Sequence, residues 1–268
     1  MHIIGPMDGL VVAALGWLGG GAVNWLADSL PIYRRPVRPR CPRCGAPRRT
    51  AAWLGLIGAL TGSRCRYCAA HRGARPWVIE LASAALAVWL VRRDPSLAVF
   101  LPALLVGLVF LLMAVIDFEH RLILRILAIP SAVLLGVIGA LQPTRGPVKV
   151  LLGGAAGFLI LWLMYLLGLA FSRWMSRRRG TPLEEVAFGF GDVMLGGLIG
   201  LVVGWPGVII AVLTGVLLAG AFSLVYLVVL FLRRRYSAFT AIPYGPFLLL
   251  GACLVYYGGR TALEALMG

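Results

Sequence analysis

Two aspartates and four cysteines are the residues of this chain best suited to chemistry. Asp117 stands in Val115-Ile116-Asp117-Phe118-Glu119-His120-Arg121, directly after twenty apolar residues. Asp192 ends Gly189-Phe190-Gly191-Asp192 and is followed at once by another apolar run. An ionisable group at the edge of an apolar run is costly unless it is paired or functional. Read singly, each aspartate is a helix terminator or N-cap, and Asp192 suits an N-cap well. Read as a pair, two carboxyl groups held close share one proton, because both cannot ionise at short range. Such a dyad hydrolyses amides without a nucleophilic side chain: one carboxylate takes a proton from water while its protonated partner polarises the scissile carbonyl. Gly189 and Gly191 leave backbone room for an extended substrate.

Cys41-Pro-Arg-Cys44 and Cys65-Arg-Tyr-Cys68 form two CxxC pairs at the interval of four-cysteine zinc sites. Two intervening residues let both thiolates of a pair reach one ion from a tight turn. Four thiolates leave no open coordination position, so the expected Zn2+ is structural rather than catalytic. It would organise a loop with too few apolar residues to bury a core. Disulfides are the competing reading, and a cytosolic position argues against them. Cys253 lies in the last apolar run without a partner and reads as a small apolar filler.

The elements that must position these groups follow from composition. The chain has 268 residues, of which 60% are hydrophobic and 13% charged, against about a quarter charged in an ordinary soluble domain. Mean hydropathy is +0.92, so most of the chain needs a solvent other than water. Apolar runs cover residues 10–26, 77–91, 97–116, 122–141, 148–171 and 242–257. Residues 193–232 are too long for one span, and Gly204-Trp205-Pro206-Gly207 divides them in two. The fold class expected is therefore all-α: a polytopic membrane protein of about eight transmembrane helices carrying a zinc-binding loop. Its organisation reads as a first transmembrane helix (1–28), a cytoplasmic four-cysteine loop (29–76) and a transmembrane catalytic domain (77–268). The first run lacks a basic n-region and a small-residue cleavage site, and reads as a retained helix rather than a signal peptide.

The net charge of +15 is almost wholly arginine, with Lys149 the single lysine. The arginines fall between apolar runs, where they set topology and face lipid headgroups, so no nucleic-acid surface is expected. With the N-terminus outside, residues 29–76, 117–121, 172–188 and 233–235 become cytoplasmic and gather nearly all the basic side chains. Arg92, Arg93, Arg145 and Lys149 are the exceptions. Both aspartates then lie at the cytoplasmic face.

These residues, taken in order, resemble the type IV prepilin peptidases. Gly189-Phe190-Gly191-Asp192 resembles the GxGD motif of membrane aspartic proteases, and Pro243-Tyr244-Gly245-Pro246-Phe247 resembles the family's Pro-x-Gly-Pro-Phe segment. Ile116-Asp117-Phe118-Glu119-His120 is similar to the first catalytic segment, and the paired CxxC loop to that of bacterial members. Gly21-Ala22-Val23-Asn24 and Val78-Ile79-Glu80-Leu81 match motifs of the first two helices. The resemblance spans nearly the whole chain, and it is the order of the motifs that is specific.

What the resemblance implies is an aspartic endopeptidase in the bacterial plasma membrane. It would cut the basic leader of type IV prepilin and pseudopilin precursors, presented from the lipid bilayer, at the cytoplasmic face. The precursors serve pili and type II secretion. Asp117 and Asp192 would be catalytic, with Gly189, Gly191, Pro243, Gly245 and Pro246 shaping the backbone around them. Many members also methylate the new N-terminus from S-adenosylmethionine, an activity associated here with Glu80 and the cysteine loop.

One departure stands out. Where the family usually carries Ile/Leu-Pro-Asp/Asn after the first aspartate, this chain has Ile123-Leu124-Arg125. Arg125 either faces the dyad or reaches the headgroups. That departure supports a rival reading, a non-catalytic scaffold of a pilus or secretion system whose metal loop recruits a partner. A transporter is a third reading, opposed by the placing of both aspartates at one interface. His120 reads as interfacial and solvated, Asn24 and Asp28 as interhelical hydrogen-bond formers, and Trp53, Trp77 and Trp205 as interfacial anchors. Glu184 and Glu185 either attract a basic leader or balance Arg177 to Arg179.

Overall fold

The structure is a computed structural model. It describes residues 8–41, 43–47, 54–60, 64–65, 67–70, 73–143, 145–179, 189–233 and 243–258. Trp53, Glu184, Glu185 and Ile242 lie outside them. The elements run α1 (Asp8–Tyr33), α2 (Gly55–Leu60), α3 (Arg75–Arg93), α4 (Leu97–His120), α5 (Arg125–Leu141), α6 (Gly146–Arg179), α7 (Phe190–Val203), α8 (Gly207–Leu232) and α9 (Gly245–Gly258). Among the described residues there is no strand. Apart from the six-residue α2, the helices match the eight expected apolar runs. α1, α4, α6 and α8 are long and apolar enough to cross a membrane, and α5, α7 and α9 are shorter apolar helices.

The boundaries differ in three places, each for a physical reason. The polar break expected at residues 117–121 is mostly helix: α4 continues to His120, because Phe118, Glu119 and His120 are exposed and nothing in them opposes helix. The break comes at Arg121, which turns left-handed at φ 53° and donates its N–H to the Asp117 carbonyl. The first helix extends through Pro31 to Tyr33. α6 is 34 residues long, about 51 Å at the α-helical rise, so its basic end runs well past an apolar layer of about 30 Å. The division at Gly204 to Gly207 is as expected: α7 ends at Val203 and α8 starts at Gly207.

The chain separates into two compact units, Met1–Ile116 and Asp117–Gly268. In the first, α1 packs along α3, and Gly16 and Gly20 let the helices approach until an added Cβ would strike the backbone of residues 80–84. Asn24 donates from Nδ2 to the Pro76 carbonyl at 3.0 Å, and Arg75 pairs with Asp28. Asn24 and Asp28 therefore make interhelical contacts, as expected.

In the second unit α7 is the central helix, in contact with α5, α6, α8 and α9. Its seam with α6 is glycine against glycine. Gly153 and Gly157 on α6 meet Gly200 and Gly196 on α7 so closely that a Cβ at any of them would overlap the opposite carbonyl. Lipid tails are as apolar as leucine, so association of membrane helices rests on such close backbone packing. At the end of α7 away from Asp192, Arg145 donates to the Val202 carbonyl and lies 4.5 Å from the centre of the Tyr256 ring. α7 is thereby held along its length and at its end.

This packing predicts an asymmetric response to substitution. Gly200→Val should lower the melting temperature in detergent, by the equivalent of about 2 kcal/mol or more. Gly168→Ala, with nothing within 4 Å of an added Cβ, should leave it within about 0.5 kcal/mol of wild type. Equal stability of the two variants would contradict the glycine seam.

Candidate functional site

The carboxyl group of Asp117 projects from the last turn of α4 and is only 7% exposed. One helix start contacts it, and a second carries a carboxyl group whose charge reaches it. The first belongs to α9. Tyr244 accepts at its carbonyl from the N–H groups of Phe247 and Leu248, and Pro246 sits in the first turn, where a missing N–H costs nothing. Gly245, the first residue of α9, is buried; its N–H hydrogen-bonds the Asp117 carboxyl. An added Cβ there would overlap Asp117 Oδ2. Glycine is therefore required at 245 for close approach, and Pro243 and Pro246 bracket it.

The second helix start is that of α7. Gly189 is its N-cap in extended conformation, and Asp192, three residues on, accepts the Gly189 N–H at Oδ2 at 3.0 Å. This is the carboxylate half of a capping box. Asp192 is half-buried, and its charge reaches the Asp117 carboxyl, as does that of Arg121. The N-cap role and the paired role weighed as alternatives for Asp192 are thus compatible. The positive ends of two helix dipoles meet two carboxyl groups, an arrangement that favours anions.

Gly191 packs against Ile123, where an added Cβ would come within 2.9 Å of the Ile123 Cβ. The segment replacing the family's Pro-Asp/Asn is ordered: Leu124 is buried and caps α5. Arg125 lies over the Phe190 ring at 6.0 Å from its centre, and Tyr165 meets that ring edge-on at 6.2 Å. Of the two cations that follow Asp117, Arg121 is the one whose charge acts on it. Sequence spacing alone did not mark it, because Arg121 leaves α4 in a left-handed turn rather than continuing the helix face of Asp117. His120 is exposed, in keeping with a solvated interfacial role.

The first unit holds the other candidate groups. Cys41, Cys44, Cys65 and Cys68 converge, with all four sulfurs within 4.8 Å of one another. Two repeated turns build the cluster. Cys41 N–H donates to Ala46 and Gly45 N–H to Cys41; Cys65 N–H donates to Ala70 and Ala69 N–H to Cys65. Gly45 and Ala69 occupy equivalent left-handed positions, at φ 70° and 52°. The Cys41–Cys68 and Cys44–Cys65 sulfur separations are 3.7 and 3.6 Å, close to the about 3.8 Å expected across a tetrahedral ion with metal–sulfur bonds of about 2.3 Å. They are far longer than a disulfide bond of about 2.05 Å. The Tyr67 and Cys68 backbone N–H groups hold the Cys65 thiol below its ordinary range. For Cys44, the Ala46 backbone bond lowers the pKa, but desolvation and the Cys68, Cys65 and Cys41 side chains raise it to about 12. Four sulfurs packed this closely cannot all ionise without a compensating cation, which a bound metal ion supplies. The cluster fits a metal ion.

Glu80, also in this unit, is fully buried. Its Oε2 accepts from Trp17 Nε1 at 2.8 Å and from Leu56 N at 3.0 Å, and its Oε1 from Gly55 N. Sequence reasoning associated Glu80 with group transfer and missed these donors, because Trp17, Gly55 and Leu56 carry no motif of their own.

Comparison with known proteins agrees with these motifs. The model of the type IV leader peptidase family matches residues 104–224, a stretch that includes both aspartates. A "Prepilin leader peptidase/N-methyltransferase" of Burkholderia pseudomallei (strain 1026b) is 31% identical over 252 residues, covering 90% of this chain and 74% of the relative. Proteins of the same description from Aeromonas salmonicida (strain A449) and Pseudomonas aeruginosa are 29% and 27% identical. They cover 84% and 90% of this chain and 72% and 84% of their own lengths. No solved structure matches the chain significantly. From the ordered motifs, the helical membrane fold and these relatives, the chain belongs to the type IV leader peptidase family.

Proposed function

We propose that the protein is a multi-pass membrane aspartic endopeptidase that removes the leader from type IV prepilin or pseudopilin precursors. The observation that carries this reading is the burial of Asp117 against Gly245 within reach of the Asp192 charge. In the reaction the two carboxyl groups hold one proton between them. The ionised member takes a proton from water, whose oxygen attacks the scissile carbonyl carbon. The protonated member hydrogen-bonds the carbonyl oxygen, which becomes the hydroxyl of the tetrahedral intermediate. Collapse of that intermediate breaks the C–N bond, and a carboxyl group returns a proton to the leaving amine. The Gly245 N–H and the α7 N-terminus stabilise negative charge without reorganising, which is where preorganised dipoles contribute most.

With the N-terminus outside, the arginine distribution puts both aspartates at the cytoplasmic face of the bacterial plasma membrane. A precursor helix would enter laterally from the bilayer with its basic leader in the cytoplasm. Gly189 and Gly191 give its backbone room beside Asp192. The cysteine cluster would hold structural Zn2+. When bound, S-adenosylmethionine would supply the methyl group for N-methylation of the new amine. Glu80 and the cysteine loop remain the region associated with that second activity.

Two measurements test this reading. Detergent-purified protein should cleave a prepilin-like precursor, and Asp117→Asn and Asp192→Asn should each lose at least about 100-fold in kcat/KM with unchanged helical content. A wild type inactive on a panel of such precursors would move the assignment to a scaffold. Metal analysis should find one Zn2+ per chain in wild type and none in a Cys41→Ser, Cys44→Ser double variant; equal zinc in both would exclude the cluster as the site.

A further inference from the structure

The helix α2 lies between the two cysteine pairs, so whatever holds α2 also holds the loop that carries the cluster. Three contacts fasten it to the helices of its unit. Leu54, whose carbonyl accepts the Gly58 N–H at 2.9 Å, presses on Gly21 of α1, where an added Cβ would overlap it. Gly55 lies against Pro76 of α3, at 2.5 Å from the position its own Cβ would take. Glu80 of α3 accepts the first two N–H groups of α2, those of Gly55 and Leu56, and also the indole N–H of Trp17 on α1.

We propose that Glu80 is the latch that docks the metal-binding loop on α1 and α3, a positioning residue that acts on the cysteine cluster through α2. The first N–H groups of a helix have no partner within it. Here the Gly55 N–H is buried and the Leu56 N–H partly so, and both are satisfied from outside by a carboxylate, an acceptor with no competing donor. Trp17 on α1 shares Oε2 with Leu56 and so ties the same carboxylate to a second helix. The sulfurs of Cys44 and Cys65, 21 residues apart in sequence, close the loop at one end. Glu80 closes it at the other. Each closure lowers the entropic cost of the other, because a loop already pinned has less freedom left to lose. The influence of Glu80 on any activity of the loop would therefore pass through the loop's position, with no contact to a methyl donor. This inference rests on the reading of the cluster as a metal site only for its effect on zinc; the docking itself is measured independently.

The test combines hydrogen exchange and zinc release on the full-length protein in detergent. Glu80→Gln keeps the size of the side chain but turns an amide NH2 toward N–H donors. Exchange in peptides covering residues 54–60 should accelerate about tenfold or more, the effect of losing a hydrogen bond to a charged group. Zinc release to a chelator should accelerate by a similar factor, while exchange in α5 of the second unit stays at the wild-type rate. Trp17→Phe, which keeps the ring and removes one donor, should give a smaller acceleration in the same peptides. It decides the matter if Glu80→Gln fails to fold. Wild-type exchange in 54–60 for a folded Glu80→Gln or, failing that, for Trp17→Phe would overturn the latch. Faster exchange with no zinc bound in wild type would leave the latch standing and remove the metal reading instead.

Discussion

The second unit is organised around the burial of one carboxyl group in a helix otherwise made for lipid. Asp117 follows twenty apolar residues, and its desolvation must be offset by groups that are already in place. The offset comes from the N–H of Gly245 at the start of α9, admitted by the absence of any Cβ there, and from the Arg121 charge, while the start of α7 brings the second carboxyl group, Asp192, within reach of its charge. Backbone donors at helix starts are rigid and need no side-chain ordering, so they suit a site whose charge moves during reaction. The two helix starts must therefore be held where α4 ends.

Holding them is the work of the glycine seams. Gly153 and Gly157 of α6 on Gly200 and Gly196 of α7, and Gly251 of α9 on Ala211 and Gly215 of α8, bring backbones into direct contact. In a bilayer, where side-chain burial alone gains little, such contacts fix the axial register of a helix. Register sets the height of Asp192 and of Gly245. The left-handed Arg121 adds a sharp end to α4, so that Asp117 sits one turn from the exit of the chain.

Much of this was legible in the sequence. Hydropathy and the Gly-Trp-Pro-Gly break marked the helices. The Gly-x-Gly-Asp sequence and the CxxC pairs marked the chemistry, because those residue types are expensive or constrained wherever they occur. Other features were not legible, for reasons that differ. The extension of α4 past Asp117 and of α6 past Phe171 is invisible to hydropathy, since a helix continues through polar residues once it has left the apolar layer. The glycine seams depend on which helices are neighbours, and helices apolar on every side carry no periodicity that reveals a packing face. Glu80 was associated with methylation only through the family resemblance, and its donors are a tryptophan and two backbone amides that no motif marks. Arg125 was open between two roles; its position over Phe190 places it beside the Gly-x-Gly-Asp turn, with Arg121 the cation that acts on Asp117.

The central claim is that Asp117 and Asp192 share one site, and oxidative cross-linking in native membranes tests it most directly. In an Asp117→Cys, Asp192→Cys protein, copper-phenanthroline treatment followed by peptide mapping should recover a disulfide between the two positions in high yield. An Asp117→Cys, Trp205→Cys protein should give none, because Trp205 lies beyond the far end of α7, about 20 Å from Asp192 at the α-helical rise. Equal yields from the two pairs, or no link between positions 117 and 192, would contradict a shared site.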